Sequence, residues 1–221
     1  MVYFTKDSFR FLTDLEKNNE REWFNANKKR YTEDLKAPFE QFIADLIEAM
    51  TPFFESLPIA PKDAIFRIYR DVRFSKDKSP YKTRVSALVN PGGRKEMTRP
   101  GLYIEISAKE IRIYSGLYML DTQQLKNVRS HISHNLGEFA KLINNTKFKA
   151  TFGEVRGEQN KRIPKEFEED LKNQPLLANK QFYYFTTLPT SAALKEGFIK
   201  EVVDTYKVAQ PLSEFLYEGL F

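Results

Sequence analysis

The chain contains no cysteine. Disulfides, thiolate nucleophiles and cysteine-ligated metal or iron–sulfur centres are therefore excluded. Histidine is nearly as scarce, with two residues, His131 and His134. Three residues apart on a predicted helix they can share a face, and Glu138 is the nearest carboxylate to add. Zinc-type sites need three or four ligands, so surface histidines and no metal are the expectation. No apolar run approaches the ~18 residues of a membrane span. The first residues, Met1-Val2-Tyr3-Phe4-Thr5-Lys6-Asp7, show no basic region followed by an apolar stretch, unlike a secretory signal. Cytoplasmic residence without a membrane partner is the expectation. Gly92-Gly93 lacks the spacing and strand-to-helix context of a dinucleotide or phosphate-loop fingerprint, so no cofactor is expected.

What is present is a core and an uneven charge. Nineteen Phe among 221 residues, 41% of them hydrophobic, separate the chain from disordered sequences. The length suits a single domain over 1–221. Net charge is +5. Between Arg67 and Arg84 stand seven cations, Arg67, Arg70, Arg73, Lys76, Lys78, Lys82 and Arg84, against Asp71 and Asp77. That segment alone carries a surplus equal to the net charge of the whole chain. A local field of this kind attracts anions.

Hydrophobic spacing predicts helices at both ends. Thr5 caps a helix with Phe9, Leu12 and Leu15, closed near Asn18-Asn19. A second segment from Glu20 carries Trp23, Phe24 and Tyr31. Pro38 opens a helix whose Phe39, Phe42, Ile43, Leu46, Ile47, Met50 and Phe54 share one face. Strands are expected at Ile65–Phe74, Thr83–Val89, Leu102–Ser107 and Glu110–Ser115, forming an antiparallel meander, with a fifth at Gln181–Thr187. Asp121 caps a helix with Leu125, Val128 and Ile132, and Phe139, Leu142 and Ile143 mark another. Residues 145–180 give no clear pattern. Thr190 is expected to cap a helix through Tyr206, and Pro211 to start a last short one. The fold class is α+β, a central antiparallel sheet with N-terminal and C-terminal helices packed on one face.

As a strand, Ile65–Phe74 alternates its side chains between faces. Phe66, Ile68, Arg70, Val72 and Phe74 share one; Ile65, Arg67, Tyr69, Asp71 and Arg73 share the other. Arg70 breaks an otherwise apolar face, and a buried guanidinium requires an anionic partner. The loop Ser75–Pro80 adds two hydroxyls and two ammonium groups, the donors phosphate sites use. Tyr81 and Lys82 follow. Tyr103 with Glu105, and Arg112 with Tyr114, add a Tyr/Arg-rich sheet face suited to a planar or phosphorylated ligand. The loop holding Gly92-Gly93, Arg94, Lys95 and Arg99 is either a flap over the basic segment or an ordinary connection. Lys28 or Asn19 joins the same site if the N-terminal block folds beside it.

The run Phe66-Arg67-Ile68-Tyr69-Arg70-Asp71-Val72-Arg73-Phe74-Ser75-Lys76-Asp77-Lys78-Ser79-Pro80-Tyr81-Lys82 resembles the signature of the uncharacterised family called domain of unknown function 2461. Phe11-Leu12, Leu15, Asn18-Asn19, Trp23-Phe24, Lys28 and Tyr31 resemble an upstream block, and Lys161-Arg162-Ile163-Pro164-Lys165 with Phe167 a third. The likeness runs from about Phe9 to the C-terminal helices. It implies one family-length domain and carries no reaction with it. The chain departs from the family pattern at Glu166, where a Gly is expected, and at Asp170-Leu171-Lys172, where an acidic-His-Pro run is expected.

Three functions follow as expectations. The first is a module binding an anionic, phosphate-bearing small molecule through Arg67, Arg70, Arg73, Lys76, Lys78 and Lys82, with Ser75 and Ser79 as hydroxyl donors and Tyr69 and Tyr81 stacking. A nucleic-acid backbone is its weaker variant, because no RNP motif, zinc finger or helix-turn-helix is found. The second is a hydrolase or phosphoryl-transfer enzyme with Asp71 or Asp77 as base beside Arg70 and Lys78. The third is a structural or protein-docking role, in which these charges only pair with one another.

Overall fold

A computed structural model describes Met1–Phe221. Its four strands, β1 (Arg84–Val89), β2 (Leu102–Ser107), β3 (Glu110–Leu117) and β4 (Phe182–Pro189), form one antiparallel meander in chain order. Helices occupy both ends of the chain, so the α+β expectation holds. Strand alternation places Leu102, Ile104, Ile106, Ile111 and Ile113 on a buried side, with Tyr103, Glu105, Arg112 and Tyr114 half-exposed between them. No helix is long and apolar enough to cross a membrane. The chain divides into two compact units.

The first unit comprises Met1–Lys95, Tyr103–Ile113 and Thr187–Val203. Its leading helix, α1 (Lys6–Lys17), starts where Thr5 accepts from the Asp7 backbone N–H and Ser8 accepts from that of Thr5. These bonds satisfy backbone donors that the first turn leaves open. Phe9, Phe11, Leu12 and Leu15 enter the core. Phe4, Phe42 and Phe198 gather there, with centroids 5.6 Å apart for Phe4–Phe42 and 5.1 Å for Phe42–Phe198. Each fully buried phenyl contributes roughly 1.5–3 kcal/mol to this core.

After α2 (Arg21–Ala26) the helical stretches α3 (Lys28–Arg30) and α4 (Ala37–Met50) flank a π-helical turn at Tyr31–Lys36. Pro38 sits in the first turn of α4, as expected of the start of that helix, directly after the widened turn. A proline ring clashes with the carbonyl four residues back and offers no N–H to it. The π turn resolves the conflict without ending the helix.

The expected strand Ile65–Phe74 is not one. After α5 (Pro61–Ala64) the chain touches the strand opposite only at two isolated bridges, Ile65 to Ala87 and Tyr69 to Tyr81. Single backbone bonds join Phe66 to Ser86, Lys82 to Ile68 and Arg70 to Pro80. Beyond Arg70 the ladder fails because Asp71, Asp77, Ser79 and Lys78 bond to nearby backbone groups and to one another, a local alternative to strand pairing. Alternation survives where the bridges lie: Ile68 is buried, while Arg67 and Tyr69 are exposed.

The second unit comprises Glu96–Leu102, Tyr114–Thr186 and Asp204–Phe221. Asp121 and Gln124 cap α6 (Thr122–His134) reciprocally, as the sequence indicates. α7 (Leu136–Ile143) and α8 (Thr146–Phe152) follow, and α9 (Glu168–Asn173) lies in the stretch that has no clear pattern in sequence. Tyr184 is fully buried; its hydroxyl bonds the Ala209 carbonyl at 2.9 Å and Ser213 at 2.7 Å, and Ser213 reaches Ser115 at 2.8 Å. Two helix boundaries differ from expectation. Thr190 begins only a 3-10 turn, and α10 (Phe198–Glu218) starts later and runs through Pro211. Phe198, Val202, Tyr206, Ala209, Leu212, Phe215 and Leu216 all lie on buried positions of α10. Packing of that face outweighs the ~3 kcal/mol penalty of an interior proline.

Candidate functional site

A cleft of about 630 Å³ opens in the first unit. Its walls come from segments far apart in sequence: Phe24 of α2, Lys28 of α3, Tyr31, Thr32 and Lys36 of the π turn, Phe39 and Glu40 of α4. Lys62 of α5, the bridged segment from Ile65 to Tyr69, Lys82, Val85 and Arg94 complete it. Three local devices hold these walls. Asn19 clamps the Tyr81 backbone, its side-chain amide donating to the carbonyl at 2.9 Å and its oxygen accepting from the N–H at 3.0 Å. Phe24 stacks on Tyr81, with centroids 4.0 Å apart and 15° between planes. Gly93, at φ 57°, approaches α5 so closely that a Cβ would stand 2.5 Å from the Asp63 carbonyl oxygen. Beside it, Arg94 donates to the carbonyls of Lys62 and Ile65.

The cleft holds six cations, Lys28, Lys36, Lys62, Arg67, Lys82 and Arg94, against one carboxylate, Glu40. Glu40 pairs with Lys36 at 3.3 Å. Lys28, Lys62, Arg67 and Lys82 make no ion pair within the chain. Lys82 is half-buried, with its Nζ 5.3 Å from the Phe66 ring centre. Burial lowers its pKa first, and repulsion from Arg84 and Arg67 lowers it further. Tyr31, at the back of the cleft, is pushed up to about 12, by burial first and then by Tyr69 and Glu40. It is neutral, a hydrogen-bond donor rather than a phenolate.

The loop beyond Arg70 is arranged differently: its charges satisfy one another. Arg70 pairs with Asp77 and donates to Ser75 at 3.3 Å. Arg73 grips Asp71 at 2.7 and 3.0 Å. Lys78 donates to the Val72 carbonyl at 3.0 Å, and Ser79 donates to Asp77 through hydroxyl and backbone. Asp71 is held at about 2, chiefly by the Arg73 side chain and then the Arg73 backbone N–H. Asp77 is also held at about 2, by the Ser79 hydroxyl, then the Ser79 backbone N–H, then Arg70. Carboxylates so engaged are weak bases at neutral pH. Lys76 is exposed and outside these bonds. Phe74 is 96% exposed at the loop tip.

Of the residues singled out in the sequence, Arg67, Tyr69 and Lys82 line the cleft. Arg70, Arg73, Ser75, Lys78 and Ser79 belong to the braced loop, and Tyr81 is buried beneath Phe24. Lys28 joins the cleft, whereas Asn19 acts as its clamp. Lys36, Lys62 and Thr32 were not legible. Lys62 follows Pro61 in a four-residue helix, and the π turn that exposes Thr32 and Lys36 has only Pro38 as its sequence trace. Arg94 enters through the glycine loop suspected as a flap, anchored on α5. On the sheet, Glu105 pairs with Arg84 at 2.8 Å, Arg112 pairs with Glu110, and Tyr114 contacts Phe185 at 4.8 Å. His134 bonds the Ser130 carbonyl at 2.7 Å, while the His131 ring lies 4.4 Å from that of Phe215.

The model of one protein family, conserved hypothetical protein (DUF2461), matches residues 7–215. No curated protein matches the sequence.

Proposed function

The chain belongs to this family of conserved hypothetical proteins, and from that premise we propose that it binds a phosphate-bearing small molecule in the cleft of its first unit. The observation that carries this reading is the set of unpaired cations, Lys28, Lys62, Arg67 and Lys82, around an aromatic floor. Cations that serve the fold here find carboxylates, as Arg70 and Arg73 do, or backbone carbonyls, as Lys78 does, a few residues away. Cations left unpaired around a concave space repel one another and attract an anion. The volume lies within the ~300–1,000 Å³ of small-molecule sites. Arg67 and Lys82 supply charge to a phosphate, Tyr31 and Thr32 supply hydroxyls, and half-exposed Tyr69 offers a ring face to a planar group.

Thermal-shift titration with inorganic phosphate, sugar phosphates, nucleotides and short RNA tests the reading at low and physiological salt. Wild type shifts upward with at least one small phosphate compound, less so as salt rises. Arg67→Glu loses the shift, and Lys78→Glu, in the braced loop, keeps it. Equal loss in both variants, or no shift in wild type with any of these compounds, overturns it. A shift with RNA alone replaces the small molecule by a nucleic-acid backbone.

A further inference from the structure

Lys82 is set apart from the other amines of the cleft. Lys28, Lys36 and Lys62 extend into solvent, whereas Lys82 is drawn into the wall. Its Nζ lies over the Phe66 ring and has no carboxylate partner. The nearby guanidinium groups of Arg67 and Arg84 penalise its charged form, as burial does. A desolvated lysine beside other cations is the environment in which an amine becomes a nucleophile toward carbonyl carbon. Arg67, one of the cations that weaken the ammonium, also lines the cleft where a phosphate would be held, so one arrangement serves both ends of a carbonyl phosphate.

We propose that Lys82 forms an imine with a small aldehyde or ketone bearing a phosphate group, the phosphate held by the surrounding cations and the carbonyl carbon presented to Nζ. This rests on the anion-binding reading of the same cleft. The ammonium first yields a proton to water at the open mouth. The free amine then bonds to the carbonyl carbon, giving a carbinolamine. Departure of its hydroxyl as water, with the proton returned, leaves a protonated imine. The balance is one ammonium and one carbonyl compound giving one iminium and one water, with nothing oxidised or reduced. The fixed charge of Arg67 persists through these steps, so the phosphate stays anchored while Lys82 changes state.

Trapping tests the proposal. The full chain is incubated with sub-stoichiometric pyridoxal 5′-phosphate as an aldehyde phosphate probe, reduced with borohydride, and mapped by peptide mass spectrometry. Lys82 is expected to be labelled several times faster than any other lysine and to be protected by inorganic phosphate. Lys82→Arg, which keeps the charge, is expected to abolish rapid labelling without lowering the melting temperature. Labelling spread evenly over surface lysines, or fastest at Lys28 or Lys62, overturns the proposal. Pyridoxine 5′-phosphate, an alcohol with the same phosphate, separates the two claims. If it binds and Lys82 is not trapped, the imine is wrong and the anion site stands. If neither compound binds, the anion reading falls and the imine with it.

Discussion

Asn19 does the work of a strand with a single side chain. Its amide gives and takes one hydrogen bond with the Tyr81 backbone across 62 residues of sequence. Asn19→Ala leaves a backbone donor and acceptor unmatched at a buried residue. Each such loss costs about 1–3 kcal/mol, and each kcal/mol lowers Tm by about 2–4 °C at this chain length. A melt of Asn19→Ala within one degree of wild type would refute the clamp. Asp77 is a second case. Its carboxyl sits at about 2 in the folded chain against an ordinary 3.8. A depressed value means that the ionised form favours the folded loop. The contribution is complete above about pH 4 and is lost as pH falls through 2. The Ser79 amide, bonded to Asp77 at 2.9 Å, reports this by NMR with an expected midpoint near 2. A midpoint near 4 would show that the brace does not form in solution.

At the scale of elements, legibility followed local rules where they acted alone. Thr5 and Asp121 cap helices as their spacing indicates, and β2 begins and ends at the residues expected from alternation. It failed where two rules met. Pro211 suggests the start of a helix, yet a long buried face carries α10 through that position. Alternation indicates a strand at Ile65–Phe74, yet side chains bond the backbone beyond Arg70 instead. Residues 145–180 were opaque for a further reason: part of their order comes from α6. Arg129 is buried and donates to the carbonyls of Leu177 at 2.7 Å, Ala178 at 3.4 Å and Asn179 at 3.1 Å. These carbonyls close the 3-10 turn Pro175–Ala178 and lead into β4. The signal was present, since Arg129 stands four residues after Leu125 and three before Ile132, on the apolar face. Arg129→Met strands three carbonyls at the cost of charged hydrogen bonds, about 1.5–3 kcal/mol. Arg129→Lys is expected to recover less than half of that in denaturant melts, because a compact ammonium does not span what a planar fork does. Full recovery would mean that charge alone, not geometry, orders the turn.

For the whole molecule, the sequence shows the charge surplus but not how the fold divides it. All seven cations of Arg67–Arg84 looked alike in sequence. In the fold Arg70, Arg73 and Lys78 brace a loop and Arg84 holds Glu105, while Arg67 and Lys82 face a cleft beside cations brought from elsewhere. Pairing depends on which side chains meet in space, and no local pattern encodes that. The proposed binding implies a trade between stability and affinity that gives salt two opposite effects. In the ligand-free chain, Arg67 and Lys82 repel one another, and neither has a carboxylate partner. Salt shortens the reach of that repulsion to about 10 Å at 0.1 M, so Tm of the free chain should rise with sodium chloride. The increment added by a bound phosphate compound should fall over the same range, since its attraction is screened as well. Arg67→Ala removes one repelling charge from an exposed position. Its stability should stay within about 0.5 kcal/mol of wild type or rise above it, with a weaker salt response and no ligand increment. A ligand at about 100 times its Kd would otherwise add about 2.7 kcal/mol, so its loss is readily seen. Were Arg67→Ala instead to unfold several degrees early at every salt concentration, Arg67 would be part of the scaffold, and the proposal of anion binding would lose the cation on which it chiefly rests.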